Sequence, residues 1–268
     1  MWTSLALAAS LSLTPGQASS LTLSNAHATF GELGPTRPDV KMLPGDIFFV
    51  AFDIDGIKVD DAGKVAYSMA MEVTDKNGKA IFKQQPVERN DFLPLGGNRL
   101  PARAFVSVGI DQEPGTYTCR VTVTDRAAKA SQTVEKNFEV LPKAFGLVQV
   151  YATSDPKGEI PSPTGGVEGQ GIWVHFAAVG FQRDTKTKQP NVNFEMTVLN
   201  KDGTPARPKP MTELVNSGVE PGDSGIPMRL VLPLNRVGDF TLELKATDNL
   251  AKKTSKVTLP IHVSAASQ

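Results

Sequence analysis

Apolar and polar side chains alternate with period two along most of this chain. From Tyr117 to Thr124, Tyr117, Cys119, Val121 and Val123 share one face, and Thr118, Arg120, Thr122 and Thr124 share the other. The pattern returns where Phe240, Leu242, Leu244 and Ala246 oppose Thr241, Glu243, Lys245 and Thr247. Such alternation predicts strands with one face in a core and the other in water. Each of the two strands is entered through a glycine and an aromatic residue, and each ends in Thr-Asp.

The two strands belong to a longer repeat. Asn25–Thr29 lines up with Gln149–Thr153, Gly45–Phe52 with Gly169–Phe176, and Met71–Gly78 with Met196–Gly203. Val134, Phe138 and Val140 line up with Val257, Ile261 and Val263. The offset stays between 123 and 125 residues. That period is too long for a solenoid unit, so each copy is expected to be a whole domain.

The first domain is expected from Ser19 to Pro142. It should hold strands at Leu21–Thr29, Ile47–Ile54, Val65–Val73, Ala104–Ile110, Tyr117–Asp125 and Ser131–Val140. Ile47–Ile54 is apolar on both faces, which suits a central strand or one covered by the neighbouring domain. Asn77-Gly78 predicts a tight hairpin, matched by Asp202-Gly203 in the second copy. Gly31–Gly45, Gln84–Pro101 and Pro205–Gly225 read as long loops, the places where a rigid scaffold carries function. Leu141-Pro142-Lys143-Ala144 is a short linker without a Gly/Ser tract, predicting limited hinge freedom. The second domain runs from residue 143 to 264, with a frayed tail at 265–268.

Gly115-Thr116-Tyr117-Thr118-Cys119 resembles the Gly-x-Tyr-x-Cys signature of immunoglobulin strand F, where the tyrosine makes a corner two residues before the cysteine. The second copy has Phe240 and Leu242 there, without hydroxyl or sulfur. Cys119 is the only cysteine, so the intersheet disulfide of antibody domains cannot form. The strand and its Thr-Asp ending are similar to the immunoglobulin-like, PKD-like and fibronectin-like modules of secreted bacterial proteins. The resemblance implies an all-β fold of two tandem immunoglobulin-like antiparallel β-sandwich domains. It implies no particular binding residue, because such modules host many functions.

Composition narrows the field. With 28 basic and 28 acidic residues the net charge is zero, which leaves no electrostatic footprint for nucleic acid or an anionic membrane. Twenty prolines and 23 glycines suit many turns. Residues 1–18 read as a signal peptide, with Leu5–Leu13 as the apolar run and small residues before a cut at Ala18. The first basic residue is Arg37, so the usual basic flank is missing, and an apolar first strand or a short buried helix is the competing reading. Later segments are too short for a membrane-spanning helix, so the mature chain is expected to be soluble.

Chemistry-bearing motifs are few. Gly222-Asp223-Ser224-Gly225-Ile226-Pro227 resembles the nucleophile segment of chymotrypsin-like proteases, where a distant histidine takes the serine proton. Its nearest upstream histidine, His175, is only 49 residues earlier, and the repeat places the segment in a polar turn before a strand. Asp53, Asp55, Asp60 and Asp61 could offer oxygens to calcium, but without EF-hand spacing. The second copy has Ala177, Val179 and Asp184 opposite Asp53, Asp55 and Asp60. His27, His175 and His262 are far apart in sequence and lack ligand spacing. Cys119 should point inward as a small hydrophobe. Trp173 and His175 share a strand face, matched by Phe49 and Ala51, and an open aromatic row there could stack on sugar.

Three functions follow from these observations. The first is a non-catalytic exported or cell-envelope interaction or structural protein, whose partner is another envelope or extracellular protein. The second is a carbohydrate-binding accessory module. The third is a hydrolase using Ser224. No catalytic, cofactor or metal residue is assigned, and no cofactor is expected.

Overall fold

A computed structural model describes residues 21–266. The signal-peptide reading therefore lies outside the described residues. Among those residues every regular element is a strand, and the fold is all-β. The first half contains β1 (Thr22–Thr29), β2 (Lys41–Met42), β3 (Ile47–Asp55), β4 (Lys64–Thr74), β5 (Ala80–Phe92), β6 (Arg99–Ser107), β7 (Gly115–Asp125) and β8 (Ala130–Val140). The second contains β9 (Gly146–Thr153), β10 (Gly165–Val167), β11 (Gly171–Val179), β12 (Val192–Asn200), β13 (Met211–Val215), β14 (Gly225–Pro233), β15 (Gly238–Asp248) and β16 (Lys253–Ser264).

Each half packs a three-stranded sheet on a five-stranded one. The orders are β1-β3-β6 with β2-β8-β7-β4-β5, and β9-β11-β14 with β10-β16-β15-β12-β13. The long pairings are antiparallel, while the short β2 and β10 run parallel to β8 and β16. Both halves are therefore β-sandwiches, two sheets facing each other across an apolar core. One core gathers Phe48, Phe52, Val121 and Val123, the other Phe176, Phe194, Leu242 and Leu244. The alternation fixes these faces: Tyr117, Cys119, Val121 and Val123 are all buried, as are Leu242, Leu244 and Ala246. Burial pushes the Cys119 thiol up to about 11, so it packs as a hydrophobe.

The repeated Thr-Asp ending has a structural reason. Asp125 is fully buried and accepts the amides of Ala127 and Ala128 in its own turn and of Lys58 from the opposite sheet's loop. Asp248 does the same with Leu250, Ala251 and Gln182. One carboxylate thus satisfies three otherwise orphaned amides and ties the two sheets together at one end.

Two expectations need correction. Gln84–Pro101 is not a long loop: β5 runs to Phe92 and β6 starts at Arg99. All of β5 is exposed, so no alternation marked it, and Pro86 is tolerated because β5 is an edge strand. Pro205–Gly225 is not one long loop either, because β13 (Met211–Val215) falls within it. The Asn77-Gly78 hairpin forms as expected between β4 and β5. Only Gly78 has positive φ, and the Asp75 carboxylate caps the turn by accepting the amides of Asn77 and Lys79.

Candidate functional site

The contact between the halves combines polar and apolar interactions. It forms where β9 carries a bulge. Gln149 takes φ 54°, as its repeat partner Asn25 takes φ 52° in β1. The bulge turns the Gln149 amide out of the ladder, where Asp46 of the first half accepts it at 2.8 Å. The Gln149 side-chain amide donates to the carbonyl of Gly45 at 2.8 Å. Asp46 is only 2% exposed, and it also accepts from its neighbour's amide and from Arg37 at 2.8 Å. This buried carboxylate is fully partnered from both halves.

Beside it lies an apolar patch. Val148, Ala177 and Val179 on the outer face of the β9-β11-β14 sheet pack with Leu43. Phe30 of the first half packs against the second core. A Cβ on Gly146 would sit 2.2 Å from a Leu43 methyl, so any larger residue there would require the Leu43 side chain to move. The repeat shows how the patch arose. The places of Val148, Ala177 and Val179 are held in the first half by Ser24, Asp53 and Asp55, whose side chains are not fully buried. The sequence signal was therefore present, as a loss of charge on one face of one copy.

Asp53 and Asp55 do not build an oxygen cage. Asp55 pairs with the Arg99 guanidinium at 2.5 Å and is bonded by Ser24, which together hold its carboxyl below the usual range. Asn25 donates to Asp53 at 2.7 Å. Asp60 turns away and caps its own turn through the amides of Ala62 and Lys64. Asp184 similarly caps the turn at Lys186 and Thr187. Among the described residues no group of three potential ligands converges.

Ser224 lies on an exposed turn just before β14. Gly225 pairs with Val179, whereas His175 pairs with Arg229. Five residues of strand, about 17 Å, separate the histidine's place from the serine's. His175 is engaged elsewhere. Thr153 donates its hydroxyl to the Asp155 carbonyl at 2.7 Å, so His175 Nε2 donates to Thr153 at 2.8 Å. Its ring stacks on Tyr151 at 5.0 Å, and burial lowers its pKa. Trp173 is half-buried, with the Arg229 guanidinium 5.9 Å from its ring centre. Arg229 in turn donates to Pro156. Phe49 is buried against Phe105. The aromatic faces are therefore largely occupied by protein, with no open row.

The strand register brings together one set that the sequence kept apart. His262 faces Asp239 across β15 and β16, at 2.7 Å, and Ser264 lies 3.3 Å from the other ring nitrogen. The three line an open cleft of about 780 Å³. The line resembles a nucleophile–base–acid chain, but its surroundings are wrong for acyl transfer. His262 is 70% exposed, and Asp239 is shared with Lys201 at 3.4 Å. The nearby amides of Val167 and Glu168 already donate to Gln170 and to the Ser264 carbonyl, so neither is free to serve as an oxyanion donor. His27 bonds the carbonyl of Asn25, and the three histidines stay apart.

No family model and no curated protein matches this chain. Among solved structures, it is similar to the C-terminal domain of the Streptococcus agalactiae AgI/II polypeptide BspA, at 12% identity and TM-score 0.30, covering 88% of this chain and 99% of that one. The C-terminal domain of the Streptococcus pyogenes antigen I/II-family protein AspA gives 10% identity and TM-score 0.30, with 90% and 99% covered. A family 123 glycoside hydrolase from Clostridium perfringens gives 14% identity and TM-score 0.30, with 45% and 27% covered. Likenesses this distant do not bear on function.

Proposed function

We propose that residues 19–142 and 143–264 are two immunoglobulin-like modules of an exported, non-catalytic protein, similar to those of secreted bacterial proteins. The modules hold their exposed loops and strand edges at a fixed separation for another envelope or extracellular protein. Export rests on the leader-like residues 1–18, and with it goes a secreted, periplasmic or cell-surface location. The observation that carries the reading is the junction. A fully partnered buried carboxylate and an apolar patch support holding the two modules as one rigid body, which a pair of tethered binding units would not need.

The test is the relative alignment of the two halves in solution, measured by residual dipolar couplings on residues 19–268. A single alignment tensor describing both halves is the expected result. Two independent tensors would show freely jointed modules and sink the reading.

A further inference from the structure

The first sandwich has an uncovered side. Its sheets are unequal, three strands facing five, and only six residues connect β5 to β6. Among the described residues no strand pairs with the outer edge of β6. The inner faces of β4 and β5 overhang it, forming a cleft of about 410 Å³ between β5 and the free edge of β6. The register with β4 shows which β5 side chains look into it. Phe82 pairs with the buried Val73 and Val87 with Met69, so both lie on the inner face. Yet Phe82 is 40% and Val87 41% exposed, where inward-facing residues of a closed sandwich would be covered. Half-buried Met69 shares the floor.

The charge around the cleft has one sign. Lys83, Arg89 and Arg103 line it and no carboxylate does. Lys83 is matched by Glu72 on the other face. Arg103 donates to the carbonyls of Glu32 and Ala102, and neither arginine has a carboxylate partner among the described residues. The two edges also differ. β5 guards its own outer edge with Lys83, Pro86 and a register shift near Met69, devices that discourage pairing. On β6 only Pro101 lacks a donor, and Ala102–Ser107 remains a stretch able to pair.

We propose that the cleft receives an extended segment of a partner protein, with apolar and acidic side chains alternating, as a fourth strand on the free edge of β6. Main-chain hydrogen bonds to β6 would hold it, its apolar residues would cover Phe82, Val87 and Met69, and its carboxylates would meet Arg89 and Arg103. The second sandwich offers less of an overhang, because β13 has five residues where β5 has 13. The proposal rests on the reading of this chain as an interaction protein.

The experiment is selection of a displayed library of random peptides, about ten residues long to span β6, against residues 19–268. Enriched peptides are then synthesised for titration. The expected winners alternate apolar with Asp or Glu, slow amide exchange along Ala102–Ser107, and bind roughly tenfold more weakly to the Val87→Ser, Arg89→Ala variant. Both positions are exposed, and unchanged melting of that variant would show that its fold is intact. No enrichment, binding indifferent to the variant, or unprotected β6 amides would overturn the proposal. So would a dimer of the chain protecting those amides, since the occupant would then be a second copy. A chain whose halves share one alignment tensor but which selects no such peptide refutes the cleft and leaves the rigid two-module reading standing.

Discussion

Tyr117 and Phe240 hold the same place in the repeat and differ by one oxygen. The Tyr117 hydroxyl donates to the carbonyl of Glu113 at 2.7 Å and accepts from Gln112. That closes the corner before β7, and the ring stacks on Phe138. Phe240 has no such bond, and the Arg236 guanidinium lies 4.7 Å from its ring centre instead. Tyr117→Phe should therefore keep the fold and cost about 1 kcal/mol, the net worth of a partly buried hydrogen bond. Urea unfolding of the two proteins checks this, and a loss near zero would mean that the ring alone makes the corner. The corner was legible because glycine, tyrosine and spacing are local features. The roles of Asp125 and Asp248 were not, because each carboxylate serves an amide more than 60 residues away. The Asp239–His262 pair was hidden because only the register between β15 and β16 sets them side by side.

At the scale of elements, β3 and β11 show what a covered face does to a repeated strand. Both are central in three-stranded sheets, and both are apolar inward. Outward they diverge at one end, Asp53 and Asp55 in β3 against Ala177 and Val179 in β11. Val179 is 6% exposed, beneath the first half. Restoring the other copy's residue with Val179→Asp would set a carboxylate there without the Arg99 that partners Asp55. The expected cost is about 3 kcal/mol, or opening of the junction to hydrate the charge. Faster amide exchange at Gln149 and Val148 would report the opening, and unchanged protection there would show that the patch is not a tight contact. The strands themselves were legible wherever alternation was strong. β5 escaped because an edge strand exposed on both faces carries no period-two signal, and with it went the cleft beside β6.

For the molecule as a whole, one buried carboxylate links the two halves. Asp46 is bonded from three directions, and one of its donors, the Gln149 amide, belongs to the other half. Asp46→Ala would leave that amide and the mostly buried Arg37 without their acceptor. Arg37 keeps the carbonyls of Asp39 and Lys41, so its loop retains support. The loss therefore falls mainly on the coupling between halves, at about 2–3 kcal/mol. Each sandwich has its own core and its own carboxylate tie between sheets, so neither should unfold when the coupling is lost. Calorimetry should thus show one cooperative transition for the native chain and two resolved transitions for the variant. A variant melting in one step at the native midpoint would mean that the apolar patch around Leu43 holds the halves together unaided.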